Sequence, residues 1–333
     1  AACRVSEKQA LNPHGDDRRQ TRLNDDRQTL EQMMLRPEVH TVMQQMSKKQ
    51  NEALPAGSRL IRLLVLKEHI INSIFWNTLI DMLESEVKRR GFQFSLCIAD
   101  SEDGSPLSGS ADGYLLLGNL PLKYAGAILE SHKPLVWVDS EKAYCSYNQV
   151  RANNHFGTYQ MAKKAIELGH RRLAFLLSTP HLSYRERCEG MLECAEEYKH
   201  LGVACEVVRT DDAIRTQDML VELLSRKDAP TFVQACCDSL AQDVYKVAEQ
   251  LMIDIPGDLS VAGFDNIQEA WQLTPPLASV DVPRVDMAIA AVELLIKSMN
   301  NPLSVQELIL LNPILVIRDS LSAVPRRQPL TLT

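Results

Sequence analysis

From Arg59 onward, short β-type runs alternate with helical patterns, and this alternation restricts the possible folds more than any other feature of the chain. The first run, 59–66, precedes a segment over 77–90 whose apolar residues recur at helical spacing. Further strands are predicted at 92–99, 113–117, 134–139, 172–177, 231–235 and 259–264, and helices at 123–131, 157–168, 185–201 and 240–251. Strands and helices that alternate in this way form parallel sheets covered by helices.

The pattern starts again after Asn153, which predicts an α/β fold with two doubly wound parallel-sheet lobes and a small N-terminal helical segment. The predicted division gives 1–57 to a helical head and hinge, 58–150 and 282–310 to the first lobe, 151–281 and 311–320 to the second lobe, and 321–333 to a loose tail. In such sheets ligands bind beyond the carboxyl ends of the strands, so the cleft between the lobes is the expected binding site.

Composition and charge narrow the class of protein. With 45% apolar residues the chain can bury a sizeable core, and the absence of a long apolar run or secretory leader predicts a cytoplasmic protein without a membrane partner. The eight cysteines are scattered without zinc-type spacing, which predicts free thiols, no metal and no cofactor. The net charge of −7 argues against a surface that coats nucleic acid, whereas the mixed basic and acidic segment 1–57 leaves room for a local DNA-binding element.

Several motifs, in the same order along the chain, resemble the LacI/GalR family of transcriptional regulators. They are Asn153–Gly157, Ile166–Phe175, Tyr184–Gly190, Cys237–Ala241, Ile255–Asn266, Pro275–Val280 and Val316–Ser320. The first lobe matches more loosely, at Asn72–Phe75 and Ala111–Tyr114, and the stretch that joins Asp100 to Ala111 is shorter than the family's. The resemblance implies a type I periplasmic-binding-protein-like ligand domain behind a DNA-binding head.

The resemblance also implies a set of ligand-binding residues. A sugar site needs Arg, Asp and Asn side chains that donate and accept hydrogen bonds in pairs. The family's ligand arginine corresponds to Arg185, and Asp265 follows a predicted strand, where it accepts bonds from ligand hydroxyls or caps the next helix. Asp238 occupies a similar position and either contacts the ligand or orients its loop.

One residue of this set departs from the family pattern. Cys237 stands where the family has Asn, and a thiol is a poor hydrogen-bonding partner, so the sugar specificity of a relative does not transfer. Phe75 and Trp76 either provide an aromatic face for the sugar ring or belong to the core. Asn72, from the loosely matched motif of the first lobe, completes the predicted ligand set.

The segment 42–50 resembles the hinge helix that precedes the ligand domain in this family. Met46 occupies the position of the apolar residue that enters the minor groove. Gln45 is placed beside it, and Lys48 and Lys49 are expected to contact phosphates. The alternative is an amphipathic linker helix. The recognition helix of the head matches the family poorly, since Pro13 interrupts it.

These observations predict a sugar-responsive transcriptional regulator, in the family's manner a repressor, that binds operator DNA as a homodimer or tetramer. The alternatives are a sugar-binding module without DNA-binding activity and a two-lobed enzyme. The sequence contains no Gly-x-Ser-x-Gly, Gly-x-Gly-x-x-Gly or Walker motif, which argues against the enzyme.

Overall fold

The computed structural model describes residues 59–72, 74–99, 110–140, 147–178, 182–210 and 213–324. All of them belong to the larger of two compact units, Leu54–Thr333. The predicted head and hinge, the stretch 100–109 and the end of the predicted tail lie outside the described residues.

The strands are β1 (Leu60–Leu66), β2 (Gln93–Ala99), β3 (Gly113–Leu117), β4 (Leu135–Val138), β5 (Asn148–Ala152), β6 (Arg172–Leu177), β7 (Ala204–Arg209), β8 (Phe232–Ala235), β9 (Ser260–Ala262), β10 (Ser279–Asp281), β11 (Leu308–Leu311) and β12 (Ile314–Val316). The helices are α1 (Lys67–Asn72), α2 (Ile74–Arg89), α3 (Leu122–Glu130), α4 (Asn154–Glu167), α5 (Leu182–Glu197), α6 (Ala213–Ser225), α7 (Asp238–Gln250), α8 (Gln268–Gln272) and α9 (Arg284–Asn300).

The first sheet has six parallel strands in the order β11-β5-β4-β3-β1-β2. All seven residues of β1 are buried, as expected of a central strand with helices on both faces of its sheet. Helix α9 packs against α2 and against β3, β4 and β5. The strand order reverses between β1 and β3, where ligands bind in sheets of this topology.

The second sheet has four parallel strands in the order β7-β6-β8-β9, and its order reverses between β6 and β8. A separate buried core lies on this sheet, with Leu176, Val233 and Val261 from its strands and Val244 from α7. Strands β10 and β12 form an antiparallel pair. The two parallel sheets confirm the predicted α/β class.

Some element boundaries differ from the prediction. The helix predicted at 185–201 begins at Leu182 and ends at Glu197, followed by a 3-10 turn, Lys199–Leu201, and by Gly202 in the left-handed region. The strand predicted at 259–264 is limited to Ser260–Ala262, and beyond it the amides of Gly263 and Asp265 donate to Ala278 O and Val280 O. The sequence prediction did not include β5, β7, β10, β11, β12, α1, α6, α8 or α9.

Helices α4 and α5 approach each other closely at Gly190. A Cβ built on Gly190 would lie 2.2 Å from the backbone oxygen of His155. Since that neighbour is backbone and not a flexible side chain, this crossing requires glycine.

We therefore expect Gly190→Ala to lower the free energy of unfolding by roughly 2–3 kcal/mol, although alanine is the better helix former. Gly126→Ala in α3 is the matched control, because a Cβ there meets nothing within 4 Å, and it should stabilise the protein by up to about 1 kcal/mol. Urea unfolding of both variants measures the difference. Equal stabilities would contradict the close approach of α4 and α5.

His170 connects the start of β6 to the C-terminal end of the described chain. The side chain is fully buried. Its Nδ1 lies 2.9 Å from Thr231 Oγ1, and its Nε2 lies 3.0 Å from the carbonyl oxygen of Ser322. A carbonyl only accepts, so Nε2 carries the proton and Nδ1 accepts from the threonine hydroxyl. Burial lowers the pKa of His170, and the bond to Ser322 opposes that shift in part.

Because the pKa of His170 is lower in the folded chain than in the unfolded chain, its contribution to stability is complete above about pH 6.5 and declines as the pH falls through the folded pKa. Between about pH 7.5 and 5.5, wild-type protein should lose more unfolding free energy than His170→Gln does. The exposed His200 supplies the control: His200→Gln should keep the wild-type pH profile. Identical profiles for wild type and His170→Gln would show that the pKa of His170 is the same in the folded and unfolded chains, which would contradict the effect of burial.

Candidate functional site

Polar groups from the two sheets meet at the carboxyl ends of their strands. Asp139 follows β4 of the first sheet, and Cys236 and Cys237 follow β8 of the second. Asp265 lies just beyond β9. Asp139 interacts electrostatically with Arg187 of α5, so the strand ends of both sheets contribute to one cleft.

The guanidinium of Arg187 is the centre of this cleft. Its Nε donates to Asn154 Oδ1 at 2.9 Å, its Nη1 donates to the carbonyl oxygen of Cys236 at 2.6 Å, and its Nη2 lies 3.0 Å from Asp265 Oδ1. The guanidinium carbon lies 3.6 Å from the centroid of the Phe264 ring. Burial lowers the pKa of Arg187, but Asp265 and other acidic neighbours outweigh burial and raise it. The charge is therefore retained although only 4% of the residue is exposed.

A series of polar contacts connects Arg187 to β5 of the first sheet. Arg151 of β5 donates to Glu186 Oε1 at 2.6 Å, and Asn154 donates to Glu186 Oε2 at 3.1 Å. Asn154 then accepts the bond from Arg187. Because Asn154 both donates and accepts, it links the two ion pairs, and a strand of the first sheet is tied to the cleft arginine.

Asp265 occupies an uncommon backbone conformation. Its φ is 97° and that of Asn266 is 49°, both in the left-handed region. The Asp265 amide donates to Val280 O at 2.9 Å and the Asn266 amide to Ser279 Oγ at 3.1 Å. These bonds to β10 keep the turn in its conformation and direct the Asp265 carboxylate toward Arg187, a type of backbone strain common at ligand sites.

The Asp238 carboxylate stabilises this turn by accepting two hydrogen bonds. Its Oδ1 accepts from the hydroxyl of Ser279 at 2.7 Å and its Oδ2 from the amide of Ile267 at 2.9 Å. Burial raises the pKa of Asp238 well above its usual value, the Asp265 carboxylate adds to this, and the two hydrogen bonds oppose it. A Cβ on Gly263 would lie 2.0 Å from Asp238 Oδ1. Of the two predictions for Asp238, these contacts favour the orientation of the loop.

Cys236 and Cys237 form the cleft wall between β8 and α7. Cys236 is fully buried, and Cys237 is partly exposed at the N-cap position of α7. The ring of Tyr184 lies 5.3 Å from the Arg187 guanidinium. The sulfur of Cys237 and burial together raise the pKa of Tyr184, which places the phenol beside this thiol.

The predicted aromatic residues lie at the start of α2. Phe75 is buried and contacts Trp76 edge to face, with 5.3 Å separating the ring centroids. Trp76 is partly exposed and stacks on His69 at 5.1 Å. The guanidinium of Arg284, from the start of α9, lies 5.6 Å from the Phe75 ring. Phe75 thus has the burial of a core residue, whereas Trp76 offers part of its surface.

The structure separates the predicted Arg185 from these groups. Arg185 is exposed, whereas Arg187, two residues further along α5, makes the contacts of the cleft. Asn72 is the last residue of α1, and its predicted role stays a prediction. The predicted DNA contacts, Gln45, Met46, Lys48 and Lys49, lie outside the described residues.

Sequence reasoning missed Arg187 and its supporting residues, although a signal was present. Arg187 lies on the buried stripe of α5 with Gly190, Met191 and Cys194. Helical spacing of these small and apolar residues points the arginine into the protein. No comparable pattern distinguishes Asn154.

Two further properties concern metals and membranes. Among the described residues, no three His, Cys, Asp or Glu side chains are grouped so that they could hold a metal ion. Within the same residues, no helix has both the length and the apolar character that crossing a membrane requires.

A protein-family comparison matches residues 162–321 to a periplasmic binding protein-like domain. The ribose operon repressor of Haemophilus influenzae is 28% identical over 212 residues, which is 63% of this chain and 64% of that protein. The transcriptional repressor PurR of Vibrio vulnificus is 25% identical over 80% of this chain and 82% of its own length. The ribose operon repressor of Escherichia coli is 26% identical over 80% of this chain and 86% of its own length.

Solved structures show the same fold. A LacI family transcriptional regulator from Enterococcus faecium with bound ribose has a TM-score of 0.67 at 23% identity, over 80% of this chain and all of that one. A complex of the transcriptional regulator CelR with cellobiose has a TM-score of 0.68 at 21% identity, over 84% of this chain and 95% of that one.

Two parallel-sheet lobes with polar groups at their facing strand ends define a periplasmic-binding-protein-like ligand-binding protein. The chain is similar to LacI-type transcriptional repressors, and its residues 162–321 match a periplasmic binding protein-like domain. These relatives are transcriptional regulators and not enzymes.

Proposed function

We propose that this protein regulates transcription in response to a small sugar that binds in the cleft around Arg187 and alters the affinity for operator DNA. The observation that carries this proposal is the Arg187–Asp265 pair, with 3.0 Å separating Nη2 and Oδ1 at the facing strand ends. Together the two side chains present donors and acceptors to adjacent ligand hydroxyls, as sugar recognition requires.

The chemistry of the cleft supports a sugar or sugar derivative. Arg187 has five N–H donors, and three of its nitrogens are engaged by Asn154, Cys236 and Asp265, so further N–H groups remain for a ligand. The partly exposed Trp76 supplies an apolar face for the ring carbons. Ribose and cellobiose, which the structural relatives bind, are the first candidates. Cys237 alters the hydrogen-bonding pattern, so the preferred sugar need not be either of them.

In this proposal Arg187, and not Arg185, has the role of the ligand arginine. A residue two positions along an α-helix points to nearly the opposite side. Arg185 is exposed and Arg187 is buried, so the two residues cannot share one cleft contact. Asp265 accepts from ligand hydroxyls, and Asp238 orients the loop behind it.

The remaining parts of the proposal concern the DNA end and the assembly. Met46 and Gln45 would contact the minor groove, with Lys48 and Lys49 on phosphates. A homodimer in the cytoplasm would bind a palindromic operator, since two-fold symmetry of the protein imposes that symmetry on its site. The lobe boundary at 281/282 is proposed as predicted, whereas those predicted at 150/151 and 310/311 are moved to the ends of β5 and β11, because both strands belong to the first sheet.

The function is tested with the full chain and the DNA that flanks its own gene, at several salt concentrations, with D-ribose, cellobiose and a panel of monosaccharides. DNA binding that weakens with salt and changes when one sugar is added supports the proposal. Thermal stabilisation by a sugar without DNA binding would identify the alternative, a sugar-binding module. The absence of both DNA binding and sugar stabilisation would contradict the proposed function.

The assignment of the ligand arginine is tested by a matched pair in one helix, Arg187→Lys and Arg185→Lys. Lysine keeps the charge but loses the planar fork. We expect Arg187→Lys to weaken binding of the active sugar about tenfold or more, and Arg185→Lys to leave it unchanged. Calorimetric titration measures both, and circular dichroism confirms that each variant is folded.

Two results would contradict this assignment. One is loss of sugar binding in Arg185→Lys with retention in Arg187→Lys, and the other is equal binding by both variants. Should Arg187→Lys not fold, Asp265→Asn provides the second measurement, because it removes the charged partner and keeps a side chain that tolerates the left-handed backbone.

A further inference from the structure

Two adjacent cysteines lie where the strand order of the second sheet reverses. Cys236 and Cys237 connect β8 to α7, next to the position at which sheets of this topology bind ligands. The Cys236 amide donates to Leu176 O at 2.9 Å, and its carbonyl accepts from Arg187. The backbone of this pair is therefore fixed on both sides.

The two thiols belong to adjacent residues, and each shifts the pKa of the other. The amide of Ser178 lies 3.5 Å from Cys236 Sγ. Cys237 also begins the 13-residue helix α7, whose N-terminal end carries a partial positive charge. One thiol of the pair is thus buried, and the other is partly exposed at the start of a helix.

The two thiols differ in pKa and therefore in reactivity. The neighbouring Cys236 thiol lowers the pKa of Cys237, with Arg187 acting in the same direction and Asp265 opposing it. Burial raises the pKa of Cys236. Among the other described cysteines, burial raises the pKa of Cys194 and Cys205 to about 12. Since thiolate is the nucleophile, Cys237 is the most reactive described thiol.

We propose that Cys236 and Cys237 form a dithiol that a hydroperoxide oxidises to a vicinal disulfide. The Cys237 thiolate attacks one peroxide oxygen and the O–O bond breaks. Sulfenic acid forms on Cys237, and the leaving oxygen takes up a proton. The Cys236 sulfur then attacks the Cys237 sulfur, the S–O bond breaks, and water leaves with the Cys236 proton. In total, two thiols and ROOH give a disulfide, ROH and water.

Tryptic digestion allows oxidation of this pair to be measured on a single peptide. Cleavage after Lys227 and Lys246 releases a peptide, 228–246, that contains both cysteines and no other. The reduced full chain is treated with hydrogen peroxide, its remaining thiols are blocked with iodoacetamide, and the peptide is analysed by mass spectrometry. We expect it to lose two hydrogens, to escape alkylation, and to recover both thiols after dithiothreitol.

Variants assign the two steps. Cys237→Ser should abolish oxidation of this peptide. Cys236→Ser should leave a sulfenic acid on Cys237 that dimedone traps, because the resolving thiol is absent. Cys194→Ser on α5 is the matched control, since that buried thiol is outside the pair, and it should leave disulfide formation unchanged.

Three results would overturn the proposal. They are the absence of the two-hydrogen loss in wild type, earlier oxidation at Cys97 or Cys205, and a disulfide that forms between chains. None of these measurements needs a sugar or DNA. Failure of the dithiol and failure of the proposed function are therefore distinguishable.

Discussion

The guanidinium of Arg187 is the interaction on which the cleft depends. It joins α4 through Asn154, the end of β8 through the Cys236 carbonyl, and the turn after β9 through Asp265. A buried charge is strongly destabilising unless it is paired and hydrogen-bonded. The positions of all three partners are therefore coupled to the arginine. In the proposed function, the same group also contacts the ligand.

The surrounding backbone is adapted to this constraint. Gly263 allows the Asp238 carboxylate to lie directly beneath the turn that carries Asp265. Gly190 allows α5 to approach α4, so that Arg187 reaches Asn154. A ligand would thus meet side chains that are already oriented, which reduces the entropic cost of binding. Arg151 and Glu186 extend these contacts to β5, a strand of the first sheet.

The sequence predicted the sheets well, because parallel strands are buried on both faces and appear as continuous apolar runs. It missed β5 and β7 because Asn-Gln-Val-Arg-Ala and Ala-Cys-Glu-Val-Val-Arg are too polar for that signal. The polar residues of β5 are buried by partners distant in sequence: Asn148 bonds to Ser298 and Arg151 to Glu186. Hydrogen bonds to residues that are distant in sequence cannot be inferred from the few residues of the strand itself.

The site was predicted in part. Asp265 lies beside Arg187 just beyond β9, whereas Arg185 is exposed, and the roles of both toward a ligand stay predictions. The buried stripe of α5 would have distinguished Arg187 from Arg185. Asn154 and Asp139 have no local signal, since their importance arises from contacts between elements.

A double-mutant cycle on Arg187→Met and Asp265→Asn tests most directly whether this pair holds the cleft together. Each variant and the combination would be unfolded in urea at neutral pH. Our account predicts that the losses of unfolding free energy are not additive, with a coupling of about 1–3 kcal/mol, because either substitution leaves the other charge buried without its partner. Additive losses, within roughly 0.3 kcal/mol, would show that the two groups are independent and would contradict the account.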